Sequence, residues 1–458
     1  AFLQSGDDAS LKPENKLALA VSGWLMGSNS AITNFATATS LWDVRNLVRD
    51  YLQEPVKLNR DRILDKIRRT EGGNAEQIAK LLANMKPIAQ TPPQQIPGFY
   101  ELTVTTSEGV PCTYFVQLPR EYDPRAHYPA ILTLHGSGSV AAHSLFKPNK
   151  KHVGRPSQTN WWAGPVGPRG TRETGQAVRQ GYIVIAPAWS EPNQAEYRYS
   201  ATTHAKVLAA LRDASRRFSV DADRVFLSGH GIGGDAAWDI GLAHPDLWAG
   251  VIPIVGVADK YTAFYWKNAE TVPFYCVGGE FDQQKLVRNS REWDRMMIKR
   301  HDLTVVEYLG RGHEHFGDEI LEIFKWMELR RRDFHPHEFL THSMRPSDGF
   351  FWWVEVAGFP QNSIVHPSDF PIKRQRPITI EARVNQNNGV WIKTGAKRVT
   401  LWLSPDVVDF NQRTIISVNG KRINADPFLK PDVAVMLEDV RTRGDRRQPF
   451  WMKISNGR

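Results

Sequence analysis

Between residues 10 and 87, apolar positions recur at helical spacing. In "SLWDVRNLVRDYLQE", Leu41, Val44, Leu47, Val48, Tyr51 and Leu52 fall on one face. Ser40 followed by Asp43 forms a capping-box pattern, which predicts a helix N-terminus at that point. "NAEQIAKLLANM" repeats the logic, with Asn74 as cap and Ile78, Leu81, Leu82 and Met85 as the stripe. Such stripes must bury against one another, against the rest of the chain or against a second copy. Pro92, Pro93 and Pro97 then stop any helix and mark a linker.

From Tyr100 the period changes. "YELTVTTSEGVPCTYFVQLP" reads as two strands around a Ser-Glu-Gly turn. Six short, fully apolar runs follow: "PAILTLHG", "YIVIAPAW", "DRVFLSGHG", "AGVIPIVG", "PFYCVGGEFD" and "LTVVEYLGRGHE". Helical patterns over 172–180, 201–217, 232–244, 286–300 and 316–331 alternate with them. Apolar strands alternating with helices predict a mostly parallel sheet covered on both faces. After Arg332 the segments are strand-like without a long helical stripe, and Asn388-Gly389 and Asn419-Gly420 are hairpin signals. Three domains are therefore expected: a helical region and linker over 1–97, an α/β domain over 98–335, and an antiparallel β-sandwich over 336–458.

Composition changes this picture little. Apolar residues make up 41% and charged residues 23%, a globular balance. No apolar run is long enough to span a bilayer. The net charge of +9 is spread among acids, and the densest run, "RTRGDRR" from Arg441 to Arg447, reads as a solvated loop, so no nucleic-acid partner is expected. Cys112 and Cys276 give neither a disulfide framework nor a metal spacing. His313, His315, His335 and His337 lack a clear carboxylate partner pattern, so neither metal nor cofactor is expected. The chain opens "AFLQSGDD" without a basic region; an exported chain with its signal removed and a cytoplasmic one both fit, and the former is the expectation.

The chemistry concentrates in "DRVFLSGHGIGGDAAWDIGLAHPDLWAG". A strand, a glycine-rich turn and a helix are the layout of a Gly-x-Ser-x-Gly nucleophile elbow. Here the pattern runs Gly229, His230, Gly231, Ile232, Gly233, so glycine stands at the nucleophile position. Ser228 lies on the strand and cannot substitute. Downstream, "VGGEFDQQ" ends a strand with Asp282, with Glu280 as rival, and "YLGRGHEHF" places His313 after the last strand, with His315 as alternate. Upstream, "LTLHGSGS" ends a strand at His135-Gly136.

Residues 98–332 resemble the α/β-hydrolase superfamily, specifically bacterial esterases and peptidases with a Gly-His-Ser-Met-Gly-Gly elbow, and the C-terminal segment resembles the β-sandwich that accompanies some of them. The resemblance implies that Ser137 or Gly138, with Ile232, supplies oxyanion-hole N–H groups. It also implies that Asp282 orients His313 as the base. Trp161 and Trp162, in the loop after the oxyanion strand, are candidates for substrate contact. Trp352 and Trp353 are expected to fill a core or a domain seam. No acyl-enzyme can form at Gly231. The expectation is a non-catalytic binding protein for an acyl ester, a peptide or a glycan-linked ester, with the helical region open to a second copy or a protein partner. The alternative is a carboxylic-ester or peptide hydrolase present as an inactive serine-to-glycine variant. Glycine accepts a positive-φ elbow without the cost of about 1–3 kcal/mol that a side chain incurs there, which suits either history.

Overall fold

The structure is a computed structural model that describes residues 10–89, 91–92, 96–142, 157–166 and 175–457. Part of the linker, including Pro93, and residues 172–174 of one expected helix lie outside the described residues. Among the described residues four α-helices come first: α1 (Pro13–Met26), α2 (Phe35–Gln53), α3 (Lys57–Arg69) and α4 (Ala75–Asn84). The Asn74 side chain caps α4 by accepting from Gln77 N at 3.0 Å, as the sequence predicts. The cap of α2 is not Ser40. The helix begins a turn and a half earlier, where Asn34 accepts from Thr37 N at 3.1 Å, and the Ser40 hydroxyl, inside the helix, donates to the Glu71 carbonyl. The apolar stripe still faces inward: Leu41, Val44 and Val48 are buried with Ile78, Leu81 and Leu82.

The central sheet contains β1 (Phe99–Thr105), β2 (Pro111–Gln117), β3 (Tyr128–Leu134), β4 (Ile183–Pro187), β5 (Val220–His230), β6 (Gly250–Ile254), β7 (Phe274–Gly279) and β8 (Leu303–Tyr308). The strand order is β1-β2-β4-β3-β5-β6-β7-β8. β1 and β2 pair antiparallel, β2 meets β4 antiparallel, and every pairing from β4 to β8 is parallel. Around it lie α5 (Gln158–Ala163), α6 (Gln176–Arg179), α7 (Ala201–Arg217), α8 (Ile232–Ala243), α9 (Thr262–Tyr265), α10 (Gln283–Ile298) and α11 (Ile320–Glu328). Strand alternation feeds two cores. Leu132 and Leu227 pack with Val207 of α7 and Trp238 of α8 on one face; Ile131 and Phe226 pack with Trp162 and Phe324 on the other. Burial on both faces is why these strands are apolar throughout. This is an α/β-hydrolase fold.

The C-terminal region holds β9 (Glu338–Ser343), β10 (Phe350–Phe351), β11 (Val354–Ala357), β12 (Ile378–Val384), β13 (Val390–Thr394), β14 (Arg398–Leu403), β15 (Ile416–Val418), β16 (Lys421–Arg422), α12 (Val433–Arg443) and β17 (Met452–Ser455). A five-stranded sheet, β16-β15-β13-β12-β9, and a four-stranded sheet, β10-β11-β14-β17, share one core that contains Trp352 and Trp353. Asn388, Asn419 and Gly420 take the positive φ expected of their hairpins. Three expectations are corrected here. β13 and β15 pair parallel, so the sandwich is not antiparallel throughout. α12 interrupts it and buries Val433, Met436 and Leu437 against the N-terminal helices. The basic run Arg441–Arg447 is pinned rather than solvated: Arg443 is paired with Asp439, Arg447 Nη1 lies 3.2 Å from Asp221, and Arg446 is buried.

Candidate functional site at the strand-helix elbow

The parallel strands end together, so the loops after β3, β5, β7 and β8 converge. At the end of β5 the chain turns into α8 through Gly231, at φ 58° and ψ −120°. Gly231 N–H donates to the Ile254 carbonyl at 3.0 Å, which fixes the turn against β6. Ser228 lies on the strand, fully buried, with its hydroxyl donating to the Ile252 carbonyl at 3.1 Å. It is closed to chemistry, as the strand register requires. The loop after β3 touches the elbow directly: a Cβ at Gly136 would stand 2.9 Å from the His230 carbonyl oxygen. Gly136 N–H is used by the Ser139 hydroxyl at 2.9 Å. Ser137 and Gly138 are exposed beside it, and no hydrogen bond within the described residues engages their N–H groups. Ile232, the first residue of α8, likewise has an N–H outside the helical ladder.

His313 reaches the elbow from the loop after β8. A Cβ at Gly231 would lie 3.2 Å from His313 Nε2 and 3.5 Å from its Cε1. The imidazole therefore stands where it would meet a serine side chain, and so close that a methylene at 231 needs it to retreat by a few tenths of an ångström. His313 Nδ1 is 3.3 Å from Asp282 Oδ2, within ion-pair reach. The contact is long and poorly aligned for a hydrogen bond, and Asp282 Oδ2 is buried with no well-aligned donor among the described residues. Its place is contested by Lys285, whose Nζ lies 3.3 Å from the same Nδ1 and donates to the Val255 carbonyl at 2.7 Å. Lys285 follows Asp282 by three residues in the first turn of α10, so both project to one side.

An ammonium at Nδ1 works against a catalytic histidine in two ways. It repels the imidazolium that a base becomes, and it favours the tautomer with Nδ1 as acceptor and the proton on Nε2. The histidine's pKa is accordingly held below its ordinary value, by burial first and Lys285 next, with Asp282 pulling the other way. The rivals are placed elsewhere. Glu280 accepts from Gly310 N at 2.7 Å, and His315 stacks on His230 with centroids 4.1 Å apart. His230 Nε2 lies 2.8 Å from the Glu314 carbonyl oxygen, and burial with the neighbouring histidines pushes its pKa down to about 3.

The tryptophan expectation divides. Trp161 is half-buried and donates to the His315 carbonyl at 3.1 Å, bracing the histidine loop. Trp162 has no exposed surface and donates to Thr133 Oγ1 at 3.0 Å, so it is core and unavailable to a substrate. Lys285 went unread in the sequence; its spacing from Asp282 on the α10 pattern was the available signal.

No protein-family model matches the chain, and no curated protein matches it. Among solved structures, a thermostable esterase is similar at 20% identity over 52% of this chain and 64% of its own, with a TM-score of 0.39. A ferulic acid esterase is similar at 14% identity over 50% of this chain and 96% of its own, with a TM-score of 0.39. Porphyromonas gingivalis dipeptidyl peptidase 4 is similar at 14% identity over 50% of this chain and 35% of its own, with a TM-score of 0.37. The chain thus spans less than two thirds of the thermostable esterase and of the dipeptidyl peptidase.

Proposed function

We propose that this chain is an esterase- or peptidase-like α/β-hydrolase that has left the serine mechanism and acts by binding an acyl ester, a peptide or a glycan-linked ester at the elbow. The observation that carries the reading is the pairing of Gly231 with His313: the base position is kept 3.2 Å from where a side chain would start, and no side chain starts there. Removing a serine nucleophile costs roughly a million-fold in turnover. Lys285 supports the same reading, since a site under selection for general-base catalysis gains nothing from a cation on the base's own Nδ1. In the tautomer that Lys285 favours, Nε2 presents an N–H to the cleft. With the N–H groups of Ile232 and the Ser137–Gly138 turn, it makes the cleft a donor surface suited to a carbonyl or carboxylate oxygen.

A second reading is an ester or peptide hydrolase carrying a serine-to-glycine change. The positive φ at Gly231 favours keeping it in view, because a nucleophile elbow holds its serine in the same strained region. One experiment separates the two. Gly231→Ser and the double variant Gly231→Ser/Lys285→Met are assayed on short activated acyl esters and on peptide substrates. Under the binding-protein reading the single variant stays silent. Hydrolysis by Gly231→Ser alone, abolished by adding His313→Ala, would transfer support to the inactivated enzyme.

A further inference from the structure

Away from the elbow, three side chains meet inside the protein on three separate elements. His204 is in the first turn of α7, His244 follows the last residue of α8, and Asp348 lies in the turn after β9. All three are buried. His204 Nδ1 is 3.0 Å from His244 Nε2, and Asp348 Oδ1 is 3.8 Å from the first and 4.0 Å from the second. A triangle with those sides has its centre about 2.1 Å from each corner, and zinc–nitrogen and zinc–oxygen bonds run about 2.0–2.2 Å. Two imidazoles and a carboxylate with a fourth position left over are a donor set that zinc accepts.

The surroundings have the form of a metal site's outer shell. His204 Nε2 lies 3.0 Å from Asp239 Oδ2, so the ring proton is held on Nε2 and the Nδ1 lone pair faces His244. A carboxylate behind a ligating histidine is the usual arrangement, fixing both tautomer and ring direction. Asp239 is itself held by Tyr197 OH at 2.9 Å and by Arg345 Nη1 and Nη2, each at 2.9 Å. Arg345 Nε donates to the other oxygen of Asp348, while Oδ1, which also accepts from the Ser347 hydroxyl at 3.2 Å, lies nearest the histidines. The Asp239 and Asp348 carboxylates share the Arg345 guanidinium, with Arg212 also acting on His244 from the cavity side, and a buried carboxylate without a full partner is costly unless a cation or a proton meets it. His244 also borders a cavity of about 140 Å³ at the seam between α7, α8 and the C-terminal region, which offers a route for exchange.

We propose that His204, His244 and Asp348 form a buried binding site for a divalent transition-metal ion, zinc by its donor set, that ties the β9 turn of the C-terminal region to helices α7 and α8. The proposal is independent of the elbow's function. It is tested on the full chain after chelator treatment, titrated with Co²⁺ and followed by visible absorption, then displaced by Zn²⁺. The expected result is one equivalent per chain with the intense bands of a low-coordinate His/carboxylate site, a raised thermal midpoint on zinc addition, and loss of the bands in His244→Gln and in Asp348→Asn. His313→Gln, at the half-exposed elbow cluster, should retain them. Absence of the bands in the wild-type chain would overturn the proposal, as would their survival in a folded His244→Gln variant. Their loss in His313→Gln would also overturn it, by assigning the ion to the elbow, and that arm needs no change to the buried residues.

Discussion

Two histidine clusters sit in this fold, and they handle charge in opposite ways. At the elbow, His313 is half-exposed and touches one carboxylate and one ammonium, and Asp282 Oδ2 has no well-aligned donor among the described residues. At the seam, His204 and His244 are buried within a hydrogen-bonded network of Arg345, Asp239, Asp348, Tyr197 and Tyr265. Solvent at the half-exposed elbow screens an imperfect arrangement of charges. The seam charges are buried and weakly screened, so each is met by an opposite charge or a hydrogen bond. A substitution at the open elbow should therefore cost less stability than one at a buried seam residue that never touches the cleft.

The largest expected effect is at the seam. Arg345→Met leaves two buried carboxylates facing each other and should lower unfolding free energy by about 3–5 kcal/mol in denaturant titrations. Lys285→Met, the equivalent loss of a cation at the elbow, should change stability by less than about 1 kcal/mol. Similar losses from both would erase the distinction between sealed and open clusters. Next is the elbow backbone. Gly231→Ala puts a side chain at φ 58° and within 3.2 Å of His313 Nε2, and should cost about 1–3 kcal/mol by the same measurement.

Acid should sharpen the contrast by a smaller, graded amount. His230 is neutral in the folded chain, with its pKa pushed from the ordinary 6.5 to about 3, chiefly by burial. Below pH 6.5 the unfolded chain takes up a proton that the folded chain refuses, so stability present above that pH is lost as pH falls toward 3. The contribution is about 1.4 kcal/mol per pH unit within the window. Stability profiles of wild type and His230→Gln should diverge by that slope, and parallel profiles would show that His230 is protonated in place. The smallest effect is on His313 itself. Lys285→Met removes a neighbouring cation, so the histidine's pKa, followed by NMR titration, should rise. A pKa that stays or falls would mean that the lysine does not face the ring in solution.

Much of this molecule could be read from one dimension. The apolar runs that became β3 to β7 were legible because a strand buried on both faces has few polar positions to reveal its alternation, and helices had to cover both sides; β8, at the sheet's edge, is only partly buried. The elbow was legible for the same local reason: strand, glycines and helix are contiguous, and the glycine at 231 shows in the sequence as plainly as a serine would. Helix α12 was not read, since "VAVMLEDV" opens with a continuous apolar run that suits a strand as well as a helix. Its signals lay at the ends. The Asp432 side chain accepts from Ala434 N at 2.9 Å, and Gly444 closes the helix at φ 82°.

What the chain alone determined was therefore the sequence of elements and the glycine at the tip of the elbow, both properties of neighbouring residues. What the tertiary structure decided was which distant side chains share a volume. It set Lys285 against His313, drew Trp162 into the core, and brought His204, His244 and Asp348 together from α7, α8 and the C-terminal region. No spacing rule connects residues on separate elements. Their meeting depends on how sheet, helices and sandwich pack, and that packing is fixed by the apolar faces of the elements rather than by the polar residues it brings into contact.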